Sequence, residues 1–325
     1  MFADNMDRNV KIVAPQTTGR PTTEPMIKIA NAPCSWGALE FNLKEKQPVN
    51  FQQVLDEIKE TGYAGTELGD WGFMPTDPAR LRDEIKKREL ELIGAFVPVN
   101  LSNPKSHAIG GGNAMKTGKL MCDAGFPNAY LILADDNCHD PIRTKHAGRI
   151  SPAMGLNDNQ WKNVSSGTNL ISRRIYEELG IKTVFHHHCA GFVETPEEID
   201  KLMEGTDPAL VGLCIDTGHL YFGGGNPLTV LKKYGERIWH VHFKDCDARI
   251  AAASRTKNWD YFESISQGVF CKLGKGAIDF KAIIQELKSS SYKGWITVEQ
   301  DILPGMSLPK SCARDNREFL KKLGL

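Results

Sequence analysis

The chain has 325 residues, and its 40 Lys plus Arg residues balance its 40 Asp plus Glu residues, so its formal net charge is zero. Hydrophobic residues make up 41% and charged residues 25%, as is ordinary for a globular protein. The balanced charge gives no reason to expect a nucleic-acid or anionic-membrane partner, and no apolar run approaches the ~20 residues that a membrane span needs.

The N-terminal segment differs in composition from the remainder of the chain. Residues 1–26 are polar, contain three prolines and lack the apolar core of a signal peptide. We predict that 1–26 form a flexible extension and that 27–325 form a single domain. The eight cysteines are scattered without a CxxC pair, which favours a reduced, cytoplasmic protein.

Short apolar runs alternate along the chain with runs of helical spacing. The apolar runs predict strands at 27–31, 65–69, 92–97, 129–134, 183–188, 210–215, 238–243 and 295–298. The amphipathic runs predict helices at 51–61, 77–88, 115–124, 161–179, 195–203, 226–234, 279–287 and 307–323. Two long segments, 135–160 and 245–276, are predicted as loop insertions, and loops of that length are usually functional or disordered.

The alternation of strands and helices indicates parallel strands joined by crossover helices. Eight such units in about 300 residues predict an α/β fold of the (β/α)8 barrel type. The competing architecture is an open doubly wound sheet. Because no GxGxxG follows the first strand, its dinucleotide-binding form lacks its fingerprint.

Ionisable residues occupy the ends of the predicted strands, where (β/α)8 barrels place their active sites. Alternate side chains of a strand point to opposite faces. His186 and His188 therefore share the face directed at the barrel axis, whereas His187 faces the helices. In the seventh strand the same parity directs His242 inward and Trp239 toward the helices.

The inward-facing residues at the strand ends need partners, because an isolated buried charge is costly. They are Glu67, His186, His188, Asp216, His240, His242, Lys244 and Glu299. Two carboxylates and two imidazoles from neighbouring strands form a mixed N/O set that suits Mn, Co, Fe or Zn, and more loosely Mg. The alternative is a buried salt-bridge network among Asp216, Glu299 and the histidines.

Several of these motifs resemble those of a known family. They are NAPCSWG at 31–37, HHH at 186–188, DTGH at 216–219, HVHFKD at 240–245 and VE at 298–299. Over 30–303 the chain resembles the xylose-isomerase-like TIM barrel superfamily, and within it the inosose dehydratase family. The departures from the pattern are Cys189-Ala190-Gly191, where a Gly-Thr pair is usual, and the two insertions.

The resemblance implies one bound divalent metal, Mn or Co in the first place, with Mg, Fe or Zn as alternatives. Its ligands would be Asp216, His242 and Glu299, with His186 at the fourth position, where many relatives have Glu. Whether His186 binds the metal directly stays open. His188 and His219 match substrate-contacting histidines.

The implied activity is that of a hydro-lyase removing water from an inosose-like cyclic polyol ketone through an enediolate. His188, His219, Lys244 and Glu299 are the candidates for proton transfer. Trp36 and Glu67, with His188 and His219, are the candidate substrate contacts. The expected partner is a small polyol ketone or sugar, and formation of a homo-oligomer stays open.

Two other functions compete with dehydration. A ketose epimerase or aldose–ketose isomerase uses the same enediolate, but usually has Glu on strands five and eight, and His186 argues against it. A non-catalytic sugar-binding or assembly protein would not need the ionisable cluster.

Overall fold

The computed structural model describes residues 27–38, 50–303 and 308–325. The predicted flexible extension, 1–26, lies outside the described residues. None of the described helices is both long and apolar enough to cross a membrane.

Ten strands are present in the described chain. They are β1 (Lys28–Asn31), β2 (Gly65–Glu67), β3 (Glu91–Val99), β4 (Tyr130–Asp135), β5 (Thr183–His186), β6 (Val211–Asp216), β7 (Ile238–Phe243), β8 (Asp245–Cys246), β9 (Phe270–Cys271) and β10 (Trp295–Val298). Eight of them form a closed parallel barrel in the order β1-β10-β7-β6-β5-β4-β3-β2. The predicted (β/α)8 barrel is thereby confirmed.

Helices lie between the barrel strands, and their apolar faces join one continuous core with the outer face of the barrel. They are α1 (Phe51–Glu60), α2 (Pro78–Lys86), α3 (His107–Asp123), α4 (Pro141–His146), α5 (Asp158–Leu179), α6 (Pro196–Gly205), α7 (Thr217–Phe222), α8 (Pro227–Tyr234), α9 (Ala248–Lys257), α10 (Tyr261–Ser266), α11 (Phe280–Ser289) and α12 (Pro309–Lys322). Single-turn 3-10 helices occur at Pro33–Trp36, Pro104–Ser106, Pro152–Met154 and Gly235–Arg237.

Local sequence signals set the start of the helix that follows β5. Thr195 and Glu198 form a capping box at α6, with Pro196 at the first helical position. A cap of another kind begins α7, where the Asp216 carboxylate accepts the backbone N–H of His219 at 2.8 Å. That bond fixes the Asp216 side chain at the carboxyl end of β6, at the barrel mouth.

The first and last barrel strands meet in the barrel wall. β1 pairs with β10 in parallel, with Lys28 opposite Trp295 and Asn31 opposite Val298. Gly65 of β2 adjoins this pair, and a Cβ at that position would lie 2.9 Å from the Trp295 ring. A larger residue at position 65 would therefore displace the indole.

Trp239 corrects one of the parity predictions. The register of β6 and β7 shifts, so that Leu213 pairs with Ile238 and Cys214 pairs with His240, skipping Trp239. The indole packs against the barrel-interior cluster that contains Cys214 instead of facing the helices. Parity failed at Trp239 because a β-bulge places an extra residue in one strand.

The two insertions contain regular structure, unlike the loops that were predicted. Residues 135–160 include α4, and residues 245–276 include α9, α10 and the antiparallel pair β8–β9. Arg149 donates to the carbonyl of Trp259 at 2.6 Å, and Arg255 donates to that of Gly148 at 2.8 Å, so the insertions bind each other. Together they form what we call the cap. Its short helices give too few turns for a helical period to emerge from the sequence.

Candidate active site

The four residues predicted as metal ligands lie together at the carboxyl ends of the barrel strands. His186 ends β5, Asp216 ends β6, His242 lies in β7 and Glu299 directly follows β10. One nitrogen or oxygen atom from each lies within 4.8 Å of those of the others. All four side chains are buried. Four adjacent strand ends therefore converge on one point.

The spacing of these atoms fits a bound metal. His242 Nδ1 lies 3.2 Å from Glu299 Oε1 and 4.0 Å from Asp216 Oδ2, and His186 Nε2 lies 3.8 Å from that same oxygen. Ligands bonded at about 2.1 Å to one ion lie about 3 to 4 Å apart. Among the described residues, Asp216 Oδ2 and His242 Nδ1 also make no hydrogen bond. Lys244 Nζ lies 3.4 Å from Asp216 Oδ2, and Glu299 Oε1 lies 3.2 Å from His242 Nδ1. A bound cation would give both atoms the closer partner that buried polar atoms require.

The charge at the site also favours a cation. The carboxylates of Glu67, Asp216, Glu299 and Asp301 are all buried, and the buried ammonium that contacts three of them belongs to Lys244. Since buried charges require compensation, this excess of carboxylates suits a divalent ion bound through nitrogen and oxygen.

Glu67 lies behind His242 and orients it. Its Oε1 accepts hydrogen bonds from His240 Nε2 at 2.8 Å, His242 Nε2 at 2.9 Å and Thr297 Oγ1 at 2.7 Å. Burial would raise the pKa of Glu67, but His242 and His240 hold it well below its usual value. A carboxylate bound to the far nitrogen of a histidine fixes the ring and directs its other nitrogen to the metal position. This geometry supports an orienting role for Glu67 beside its predicted substrate contact.

Lys244 connects the metal-ligand group with a second cluster. Its Nζ lies 2.8 Å from both Asp301 carboxylate oxygens and 2.8 Å from His219 Nε2. Glu299 Oε2 is 3.2 Å away. Burial would lower the pKa of Lys244, but the surrounding carboxylates of Asp216, Asp301 and Glu299 outweigh burial and hold the pKa well above its usual value. Lys244 is therefore charged, and it donates to the imidazole nitrogen of His219.

His188 is held as a neutral imidazole with a defined tautomer. Its Nδ1 lies 2.6 Å from the carbonyl oxygen of Cys189, which only accepts, so Nδ1 carries the proton. Burial lowers the pKa of His188 well below its usual value, and nearby His219 lowers it further. Nε2 consequently keeps a lone pair, as a general base requires.

His187 has a different environment from its two neighbours in the triplet. Its Nε2 accepts the backbone N–H of Asp216 at 3.1 Å, and its side chain is fully buried. His186 and His188, in contrast, line the pocket at the barrel mouth. The adjacent histidines therefore face different surroundings.

We expect His188→Asn to lower kcat far more than His187→Asn does. Loss of a general base costs about 100-fold or more. Loss of His187 leaves the Asp216 N–H without its acceptor and costs about 1–3 kcal/mol of stability. Steady-state kinetics and thermal unfolding of both variants test this. An equal fall in kcat in two folded variants would refute the division of roles.

The pocket encloses about 570 Å³, part of it continuous with solvent. Its lining consists of Ala32, Pro33, Cys34, Ala38, Glu67, Gly69, Asp70, Phe96, His186, His188, His242, Lys244, Glu299 and Asp301. The structure does not bring Trp36 to this lining. Its buried indole instead donates to Glu57 of α1 at 2.7 Å, because the 3-10 helix Pro33–Trp36 directs the ring toward the helix layer.

Several residues of the site were missed in the sequence. Asp301 lies two residues after Glu299, so the same strand parity could have indicated that its side chain points into the site. Cys34 lies in a motif already noted. No motif or parity in the sequence indicated Asp70. Burial raises the pKa of its carboxyl group to about 6. Tyr261 reaches the site from the cap, and its position in an insertion concealed it.

Comparison with known proteins identifies a family and a group of relatives. A family model described as xylose isomerase-like TIM barrel matches residues 55–323. The inosose dehydratase of Geobacillus kaustophilus is 34% identical over 276 residues, which cover 83% of this chain and 86% of the relative. That of Clostridium tetani is 30% identical over 297 residues, which cover 91% of this chain and 97% of the relative.

Solved structures of lower sequence identity share the fold. A probable 3-DHS dehydratase from Bacillus anthracis matches with a TM-score of 0.66 at 14% identity, covering 91% of this chain and 99% of that chain. An L-ribulose 3-epimerase matches with a TM-score of 0.64 at 16% identity, covering 92% and 94% of the two chains. Enzymes with different reactions thus share this barrel, and their likeness at such identities shows the fold alone.

Proposed function

Because the chain belongs to the xylose isomerase-like TIM barrel family, and its curated relatives are hydro-lyases, we propose that it is a metal-dependent dehydratase of an inosose-like cyclic polyol ketone. The observation that carries this proposal is the convergence of His186, Asp216, His242 and Glu299 beside the neutral imidazole of His188. The first group suits a cation, and the second suits removal of a proton from carbon.

The metal-ligand group fits a divalent ion, with Mn or Co proposed first. When bound, such an ion supplies Lewis-acid stabilisation of negative charge on a substrate oxygen. Glu67 keeps the Nδ1 of His242 directed at the ligand position, through its bond to Nε2. The chain itself therefore fixes the geometry of the site before substrate binds.

The proton transfers of the proposed reaction are divided between two neighbouring groups, since the ring centroids of His188 and His219 lie 3.8 Å apart. His188 Nε2, with its lone pair, accepts the α proton of the ketone, which gives the enediolate. The ammonium of Lys244, which lines the pocket and donates to His219 Nε2 at 2.8 Å, gives a proton to the departing β hydroxyl, which leaves as water. A charged donor near the leaving oxygen favours elimination over return of the proton to carbon.

Epimerisation is the second candidate, since it shares the enediolate and several epimerases share the fold. It requires bases on both sides of the carbon that loses its proton. Epimerases of this superfamily are expected to use carboxylates from the fifth and eighth barrel strands, which correspond to β5 and β10 here, for that purpose. Here the fifth strand supplies His186, so the symmetric carboxylate pair is missing.

Product analysis in deuterated water separates the two reactions. We expect the metal-loaded protein to convert an inosose to a dehydrated dione, with a rise in absorbance. Removal of the metal by a chelator should abolish this activity, and addition of the metal should restore it. The products formed from a set of ketoses are compared with those formed from the inosose. Recovered substrate of inverted configuration that carries deuterium, without dehydrated product, would establish the epimerase instead.

A further inference from the structure

The cap packs on the barrel through an apolar cluster that is separate from the main barrel core. The buried members of this cluster include Tyr261, Ile265 and Phe270 of the second insertion, Ala147 of the first insertion and Phe222 of α7. Phe270 packs edge-on against His219, with ring centroids 4.9 Å apart. The cap therefore rests on the side of the site that holds the histidines.

Tyr261, the first residue of α10, brings a polar group from the cap to the site. Its hydroxyl lies 3.4 Å from His188 Nε2 and 3.4 Å from Asp301 Oδ2. Its ring packs edge-on against that of His188, with centroids 5.6 Å apart. The side chain is fully buried. Both of these polar contacts are with residues of the pocket lining.

The direction of these hydrogen bonds follows from the neighbouring groups. Cys189 fixes the proton of His188 on Nδ1, so Nε2 accepts. Asp301 is a carboxylate held by Lys244 and also accepts. The Tyr261 hydroxyl has one proton for these two acceptors, so it bridges His188 to the Asp301–Lys244 pair. Its donation to Asp301 leaves the Nε2 lone pair of His188 available to accept a proton.

We propose that Tyr261 is a positioning residue for His188, supplied by the cap and not by a strand of the barrel. The Cys189 carbonyl fixes one nitrogen of the imidazole, and the Tyr261 hydroxyl fixes the other. The Nδ1 bond already restricts rotation of the buried ring, and a second polar contact at Nε2 restricts it further. This inference rests on the proposed catalytic role of His188.

Packing alone does not account for the hydroxyl. A phenylalanine ring would fill the same apolar volume, and a buried phenol costs free energy unless it is hydrogen-bonded. The acceptors in this case are a proposed general base and a carboxylate that binds Lys244. The position of the hydroxyl is therefore explained by the site and not by the cap.

Tyr261→Phe tests the proposal because it keeps the ring and removes the oxygen. We expect kcat on an inosose to fall about ten-fold, with KM changed less than about two-fold. Tyr63→Phe is the matched control, since its buried hydroxyl binds the carbonyl of Ala313 at 2.9 Å, in the helix layer. The control should keep the kcat of the unmodified protein. Equal kcat in the Tyr261 variant and the control, with both folded by thermal unfolding, would overturn the proposal.

A measurement without substrate separates this inference from the proposed function. In protein labelled with 15N-histidine, the Nε2 resonance of His188 should move in Tyr261→Phe and stay in place in Tyr63→Phe. An unmoved resonance overturns the positioning role even if inosose is the substrate. A moved resonance in a protein inactive on inosose supports the contact and rejects the proposed substrate.

Discussion

Asp216→Asn is expected to abolish both bound divalent metal and dehydratase activity while the barrel stays folded. The amide keeps an oxygen that can accept the N–H of His219 and so cap α7, but it removes the charge that a cation needs. We expect kcat to fall at least about 1,000-fold, because a metal that stabilises the transition state supplies several kcal/mol. Glu299→Gln should behave alike. Elemental analysis and kinetics after metal addition measure the two effects.

A matched control for Asp216→Asn comes from another helix cap. Asp279 accepts the N–H of Ala282 at 3.0 Å at the start of α11. Asp279→Asn should keep metal and activity with a similar small change in thermal stability. Active Asp216→Asn protein that contains no divalent metal would disprove the metal requirement.

Lys244→Met should give the largest combined loss of stability and activity. The ammonium lies within 3.4 Å of Asp216, Glu299 and Asp301 oxygens, so its removal leaves three buried carboxylates facing one another. Breaking a buried ionic group in this way costs about 3–5 kcal/mol. We also expect kcat to fall at least about 1,000-fold, because the proposed proton donor is lost.

An exposed lysine provides the comparison for Lys244→Met. Lys310 pairs with Glu60 at the surface, where an ion pair is worth about 0–1 kcal/mol. The free energy of unfolding of Lys310→Met should therefore be close to that of the unmodified protein. Chemical denaturation of metal-free protein measures both variants. Wild-type stability in Lys244→Met would show that the carboxylates do not depend on its charge.

The sequence predicted the barrel and the convergence of His186, Asp216, His242 and Glu299 because strand parity and strand order are backbone properties. The same rule fails at Trp239, where a register shift between β6 and β7 cannot be recognised from alternation. It also cannot place Tyr261, since contacts of an insertion depend on long-range packing. Strand parity therefore fails for a residue at a β-bulge, such as Trp239, and for a residue outside the barrel strands, such as Tyr261.

The pairing of β1 with β10 has a consequence for how the protein is made. β1 leaves the ribosome first, but the strand that covers its open side is the last of the barrel to be synthesised. Until then the growing sheet has two exposed edges, whose unpaired N–H and C=O groups can pair with other chains. Pairing of strands so far apart in the sequence is also slow, because the loop-closure entropy is lost before the pairing is gained. The nascent sheet therefore keeps both edges open until β10 is made, which favours pairing with other chains during translation.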